Sequence, residues 1–265
     1  MILWCDGAHD PAENMRRDRA LLERAEAVTP PEAVLRLFQF QPHGITLGHA
    51  QRPERVLDLA RCEAEGIPWA VRPTGGRAIF HAEEWTYSLS ASIEDPEWGG
   101  GLAEAYERAS RLLVASLQSL GIAAILAGAR AARGGGDASG AACFASTARH
   151  EILLQGRKLV GSAQRRTRGA LLQQGSVLLG TGHLRLADYL AIPEVRRREL
   201  RAALAAGASP AGNRLGDDAA LSRWAAALME AAPRGTRRID AALGCFLLTL
   251  PESPPYTPSV SHGVG

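Results

Sequence analysis

The chain has 265 residues, 46% of them apolar, and a net charge of +2, which suits one large or two modest domains with a well-buried core. The sequence has no Lys/Arg-rich tail of the kind that would indicate a nucleic-acid partner. Its apolar runs are far shorter than the roughly 20 residues that cross a bilayer. The first residues lack a signal-peptide pattern and the four cysteines form no CxxC pair, so we expect a cytoplasmic protein with no membrane attachment, metal site or disulfide framework.

The first elements along the chain are a helix and two strands. Residues 14–26 have helical apolar spacing, and Val34 to Phe40 alternates apolar and polar side chains as a half-buried strand does. Ile45 to Leu47 is expected to pair with that strand after a turn at Pro42-His43-Gly44, and residues 56–65 are predicted to form one short helix.

The middle of the chain is rich in strands. Short strands are predicted at 69–71 and 78–80, on either side of a Gly-Gly turn, and residues 85–91 alternate with period two. Leu102 to Leu120 is predicted to be an amphipathic helix, and residues 128–142 a loop by composition.

A hairpin and a helical region follow. Residues 151–154 and 158–160 bracket a turn with glycine, and residues 170–179 supply another strand. Beyond about 184 the chain is rich in Ala, Leu and Arg, and a Pro/Ser-rich tail begins at Pro251. Strands in the first two-thirds and helices in the last predict an α+β architecture.

The basic residues are 29 arginines and one lysine, Lys158, which lies in the predicted hairpin. A guanidinium is a permanently charged planar fork, whereas an ammonium is compact, flexible and able to change its protonation state when desolvated. The single lysine is therefore a candidate for chemistry that arginine cannot perform. The alternative is a chance survivor on a solvated turn.

Three segments can contribute to one site. In Arg72-Pro73-Thr74-Gly75-Gly76-Arg77 the glycines let a ligand approach the backbone and the arginines favour an anionic group, although an ordinary turn with solvated arginines remains the alternative. Cys143 follows the loop and is near Arg149, His150 and Lys158 in sequence, where cations favour a thiolate. Gly161-Ser162-Ala163 leaves room for a chain or cofactor beside the backbone.

These segments resemble the lipoate–protein ligase and octanoyltransferase family. The likeness rests on Asn14-Met15 with Asp18, Leu47-Gly48 with Gln51, residues 72–78 with His81, and residues 156–164, and it covers roughly residues 1–190. The family fold is a central mixed sheet flanked by helices, shared with biotin–protein ligases. The resemblance implies a catalytic domain at 1–190 and a helical C-terminal extension at 191–265.

Ala142-Cys143-Phe144, shortly before the hairpin, is similar to the cysteine-dependent octanoyltransferase branch. That resemblance implies that Cys143 accepts an octanoyl group from acyl carrier protein as a thioester, without ATP or another cofactor. The acyl group would then pass to a lysine of a lipoyl-accepting protein, such as the glycine cleavage H protein or a dehydrogenase E2 lipoyl domain. Lys158 matches the catalytic lysine, as a group that lowers the thiol pKa, holds the acyl carbonyl or relays a proton. The positions matching the acyl pocket are Arg72, Thr74, Gly75, Gly76, Arg77, His81, Gly161, Ser162 and Ala163.

Three other functions compete with this one. An ATP-dependent lipoate–protein ligase would need ATP and Mg²⁺ and would leave Cys143 incidental. An amidotransferase would move the acyl group between lipoyl domains. A non-catalytic protein that binds lipoyl domains would keep the fold without turnover, although the presence of both Cys143 and the only lysine argues against it.

Overall fold

The computed structural model describes residues 1–127, 151–212 and 220–249, and the secondary structure within these ranges is as follows. The strands are β1 (Ile2–His9), β2 (Val34–Phe40), β3 (Gly44–Leu47), β4 (Trp69–Val71), β5 (Ile79–His81), β6 (Glu84–Ser92), β7 (Ala124–Leu126), β8 (Ile152–Leu154), β9 (Arg157–Arg166), β10 (Ala170–Leu178) and β11 (Arg237–Asp240). The helices are α1 (Pro11–Ala27), α2 (Pro53–Val56), α3 (Leu59–Ala64), α4 (Leu102–Ser119), α5 (Glu194–Gly207), α6 (Leu221–Ala231) and α7 (Ala241–Gly244), with 3₁₀ helices at Gly182–Tyr189 and Cys245–Leu248.

The strands form one large mixed sheet and one small sheet. The large sheet has eight strands in the order β11-β1-β2-β6-β10-β9-β8-β7, and the small sheet has the order β4-β3-β5. β1 runs parallel to both β11 and β2, whereas the pairs from β2 to β7 are antiparallel. The prediction of an α+β fold with a central mixed sheet is confirmed.

The expected pairing of β3 with β2 is wrong. Ile45 pairs with Trp69 of β4 on one side and with Phe80 of β5 on the other. Both edges of β2 are already occupied, by β1 and β6, so no hydrogen-bonding edge is left for β3. The chain therefore leaves the large sheet after Phe40 and starts the small one.

The helix predicted at 56–65 is also interrupted. Leu57 leaves the helical path and forms an isolated bridge with Leu190, so that α2 and α3 are separate short helices. Asp58 then caps α3, because its Oδ1 accepts a hydrogen bond of 3.1 Å from the backbone N–H of Arg61. By contrast, α1, β2 and α4 agree with their predicted positions to within three residues at each end.

An apolar core lies between one face of the large sheet and helices α4 and α6. Trp85 of β6 stacks on Trp224 of α6 with ring centroids 5.3 Å apart, and the indole N–H of Trp224 donates to the hydroxyl of Ser116 on α4. Leu113 and Leu117 of α4 are almost fully buried there, although Leu102 at the start of the same helix is exposed. This core packs α4 and α6 against one face of the large sheet.

Residues after 190 contribute to both the core and the large sheet. α6 supplies Trp224, and β11 extends the sheet by pairing Arg237 with Ile2 of β1. The sequence did not predict β11, and the proposed division at residue 190 stays a prediction. None of the described helices is long and apolar enough to span a membrane.

Candidate active site

A cavity of about 30 Å³ lies on the opposite face of the large sheet. Its wall is formed by residues of α1, β2, the small sheet, β6, β9 and β10. These residues are Met15, Phe38, Phe40, Thr46, Arg72, Ile79, His81, Thr86, Gly161, Ser162, Ala163, Gln174, Gly175 and Ser176. The cavity therefore joins segments that are far apart in the sequence.

Aromatic rings form part of the cavity wall. Phe38 and Phe40 both come from β2, with ring centroids 5.6 Å apart, and Phe40 stacks on His81 at 3.8 Å. Met15 from α1 packs in the same cluster. These side chains give the cavity the apolar surface that a hydrocarbon chain requires.

Arg72 holds the Gly-Gly turn rather than pointing into solvent. Its guanidinium donates to the backbone carbonyls of Gly75 at 2.8 Å, Arg77 at 2.8 Å and Thr46 at 3.2 Å, and the side chain is buried. These donors are engaged with backbone oxygens, so Arg72 shapes the turn that borders the cavity. Gly75 and Gly76 are exposed and Arg77 is half-buried.

A buried chain of polar contacts connects the turn to α1. Thr74 donates to Gln174 Oε1 at 2.7 Å, and Gln174 Nε2 donates to Asp18 Oδ2 at 2.5 Å. Arg36 donates to Asp18 at 2.8 Å and to Asp6 at 2.7 Å. The prediction of a half-buried β2 is wrong at Arg36, whose side chain is fully buried because these two carboxylates compensate its charge.

A second polar cluster surrounds Glu84 at the start of β6. Glu84 Oε1 accepts hydrogen bonds from Thr86 at 2.8 Å and Ser176 at 2.9 Å, and lies 2.6 Å from His81 Nδ1. The other ring nitrogen of His81 lies 2.7 Å from the hydroxyl of Thr46. The hydrogen-bonding atoms of these wall residues are thus paired with one another or with Glu84, and the surface that they give the cavity is mainly apolar. The residues are Thr46, His81, Thr86 and Ser176.

The small residues of β9 pass along the cavity. Gly161 pairs with Ser176 and Ala163 with Gln174, which places both on the cavity face of the sheet. Ser162 also borders the cavity, but its hydroxyl lies 2.8 Å from the phenolic oxygen of Tyr87 in the apolar core. Burial raises the pKa of Tyr87 to about 12, so this phenol is neutral at physiological pH.

Lys158 lies on the same face of the sheet as Gly161 because the strand is irregular. Leu153 of β8 pairs with Lys158, but the preceding residue, Ile152, pairs with Val160, so one residue of β9 is extra. Such a bulge changes the alternation of side chains beyond it. Without it, Lys158 would share the face of Val160 and point into the apolar core.

The ammonium of Lys158 is buried and engaged in an ion pair. Its Nζ lies 2.6 Å from Glu151 Oε1, and the two side chains are 5% and 6% exposed. Lys158 does not line the cavity itself, which begins three residues further along β9. Cys143, Arg149 and His150 lie outside the described residues.

The predicted site residues fall into two groups. Arg72, His81, Gly161, Ser162 and Ala163 line the cavity, whereas Thr74, Gly75, Gly76 and Arg77 form the adjoining turn. Thr86, Gln174 and Ser176, which form a polar part of the wall, were not among the predicted site residues, although the alternation along their strands is one signal for them. In the described ranges no cluster of His, Cys, Asp and Glu side chains is suited to a metal ion.

Comparison with known proteins gives the same family as the motifs. The model of the lipoyl protein ligase A/B catalytic domain matches residues 10–209. Octanoyltransferase LipM of Moorella thermoacetica is 40% identical over 73% of this chain and 71% of its own, and that of Kyrpidia tusciae is 37% identical over the same shares. A bipartite lipoate protein ligase from Thermoplasma acidophilum, at 19% identity, has a TM-score of 0.68 and covers 93% of this chain and 91% of its own, which shows the fold. The chain belongs to the lipoyl protein ligase A/B catalytic domain family.

Proposed function

We propose that the chain transfers an octanoyl group in two steps, through a thioester on Cys143. The chain is an octanoyltransferase of protein lipoylation, as its family and its similarity to octanoyltransferases over most of their length indicate. The observation that carries the proposed route is the mainly apolar cavity that borders β9, the strand that bears Lys158.

In the first step the sulfur of Cys143 attacks the carbonyl carbon of an acyl-carrier thioester. A carbon–sulfur bond to Cys143 forms, the bond to the carrier sulfur breaks, and the thiol proton passes to the leaving sulfur. In the second step the amine of an acceptor lysine attacks the same carbonyl. The amide bond forms, the bond to Cys143 breaks, and one amine proton returns to its sulfur. The donor is already activated, so no nucleotide, metal ion or other cofactor is consumed.

The apolar composition of the cavity wall suits a hydrocarbon chain such as an acyl group. Phe38, Phe40 and Met15 provide apolar contact, and each methylene that leaves water contributes about 0.8 kcal/mol to binding. The small side chains of Gly161 and Ala163 allow the chain to lie against the backbone of β9.

Lys158 serves this reaction as a cationic hydrogen-bond donor. Its ammonium already donates to a buried carboxylate, Glu151, and its side chain lies on the same face of β9 as Gly161. A fixed cation near the reacting carbonyl stabilises the oxyanion that forms in each step. The same cation stabilises the thiolate of Cys143.

The partners of the enzyme are lipoyl-accepting proteins, as expected for a family that modifies them. We further propose acyl carrier protein as the octanoyl donor. The glycine cleavage H protein and the lipoyl domain of a dehydrogenase E2 subunit are the proposed acceptors.

The decisive experiment is intact-protein mass spectrometry after incubation with octanoyl-acyl carrier protein and no ATP. We expect the mass of one octanoyl group on Cys143, which disappears when an acceptor domain is added. Cys143→Ala should carry no adduct, and the buried Cys62→Ala serves as the matched control. Absence of the adduct, or unchanged turnover in Cys143→Ala, would contradict the proposal. Acceptor modification that requires free lipoate and ATP would indicate the ligase reaction instead.

A further inference from the structure

The ion pair between Glu151 and Lys158 brings a carboxylate into a site whose two-step reaction does not require one. Both side chains are about 95% buried and their charged atoms are 2.6 Å apart. Buried ion pairs are weak contributors to stability, because desolvation of the two charges offsets much of their attraction. The pair therefore calls for an explanation other than folding stability.

The backbones that carry the two side chains are tightly held. The carbonyl of Glu151 accepts a hydrogen bond of 2.7 Å from the N–H of Ala127 at the end of β7. The carbonyl of Lys158 accepts one of 2.9 Å from the N–H of Ser209 after α5. The remaining freedom near this pair lies in the long side chain of Lys158, which rotates about four carbon–carbon bonds.

Glu151 restricts that freedom. Its Oε1 accepts the hydrogen bond from Lys158, and within residues 1–127, 151–212 and 220–249 its Oε2 has no other hydrogen-bond partner. The carboxylate is thus committed to the lysine. Glu151 immediately precedes β8 and Lys158 lies in β9, so the β8–β9 hairpin places the two side chains beside each other.

We propose that Glu151 is a positioning residue for octanoyl transfer, which holds the ammonium of Lys158 in the orientation that the reaction requires. This inference rests on the proposed function of Lys158 as a cationic donor. Glu151 acts through the lysine and does not itself touch the acyl group.

The test compares Glu151→Gln, which keeps an acceptor oxygen without charge, with Glu151→Leu, which removes both. The rate of octanoyl transfer to an acceptor domain is measured at varied donor concentrations. It is divided by the concentration of active sites, which the amplitude of the initial burst of acylated enzyme gives. A misplaced catalytic group costs up to about 10²-fold. We expect kcat to fall about tenfold in the Gln variant and about 10²-fold in the Leu variant, with KM for the donor within about twofold.

The controls separate positioning from folding. Glu194→Gln removes a carboxylate from the exposed ion pair with Arg198 and should leave kcat and KM unchanged. Thermal unfolding of each variant shows whether it folds. A purely structural role would lower the number of active sites but leave kcat per site at the wild-type value.

A second measurement uses the Lys158→Met background. If Glu151 acts only through the lysine, adding Glu151→Leu to Lys158→Met causes no further loss of kcat. Unchanged kcat per site in both Glu151 variants, or an equal further loss in the Lys158→Met background, would overturn the inference. If Lys158→Met itself turned over at the wild-type rate, the proposed role of the lysine would fail, whatever the Glu151 variants did.

Discussion

The two faces of β6 are equally hidden from water but differ in chemistry. Trp85 and Tyr87 point towards α4 and α6 and pack among apolar side chains, whereas Thr86 and Ser88 point towards α1 and the cavity. On the first face stability comes from apolar burial. On the second, every buried hydroxyl needs a partner, and those partners fix the cavity wall. Both faces therefore stabilise the fold, by different interactions, and the site lies on the polar face.

The largest effect is expected when the charge at the centre of the polar face is removed. Arg36→Met leaves Asp18 without its buried cation, and loss of one member of a buried ion pair costs about 3–5 kcal/mol of unfolding free energy. Urea denaturation measures this change. Arg196→Met, which removes an exposed ion pair with Glu199, is the control and should change stability by less than about 1 kcal/mol. A similar small loss for Arg36→Met would refute the prediction.

A substitution that leaves a void in the apolar core should lower stability without affecting function. Leu113→Ala removes a nearly fully buried side chain of α4 and should lower the free energy of unfolding by about 2–5 kcal/mol. Because Leu113 lies on the far side of the sheet, we expect kcat and KM per folded molecule to stay at wild-type values. A change in KM for the octanoyl donor would show that the two faces are not independent.

The pH dependence of stability should reveal Tyr87, whose phenol is buried on the apolar face of the sheet. Burial raises its pKa to about 12 from an ordinary value of 10.0, so the neutral form stabilises the fold. This contribution is complete below about pH 10 and is lost as the pH rises towards 12, and a shift of two units corresponds to roughly 2–3 kcal/mol. Stability measured from pH 9 to 12 should therefore fall more steeply in the wild type than in Tyr87→Phe. Parallel curves would contradict the prediction.

The smallest effect on stability, but a clear one on substrate binding, is expected for Gln174. Gln174→Leu leaves the hydroxyl of Thr74 and one oxygen of Asp18 without their partner, at a cost of about 1–3 kcal/mol. Because Gln174 lines the cavity, KM for the octanoyl donor should rise. The test measures KM for the octanoyl donor in Gln174→Leu and in Leu113→Ala, under conditions in which the two variants are equally stable. Equal KM values would argue against a distinct role for the polar face.

Local patterns in the sequence were sufficient to locate several elements along the chain. α4, β2 and the β8–β9 hairpin show this, and the motif residues Arg72 and His81 do line one cavity. The partners of β3 were not predictable, because they depend on which strand edges remain open after the rest of the sheet has formed. β11 was missed because its two arginines and short length carry no alternation.

The site was harder to predict where burial and polarity coincide. Alternation in β2 suggested that Arg36 faces water, but acidic groups from β1 and α1 surround it. The position of Lys158 depends on one extra residue in β9, a bulge that the sequence analysis did not predict. The motif indicated that the lysine matters, but only the strand register shows which way it points.

The strand contributed by the C-terminal part has a practical consequence for anyone preparing a minimal enzyme. The family match ends at residue 209, but β11 covers the outer edge of β1, and Gly244 lies so close to Trp4 that an added Cβ would be 1.8 Å from the indole nitrogen. Expression of residues 1–209 alone would expose a row of backbone N–H and C=O groups together with that indole. Such an edge recruits other chains, so the shortened protein should precipitate where the longer one stays monodisperse.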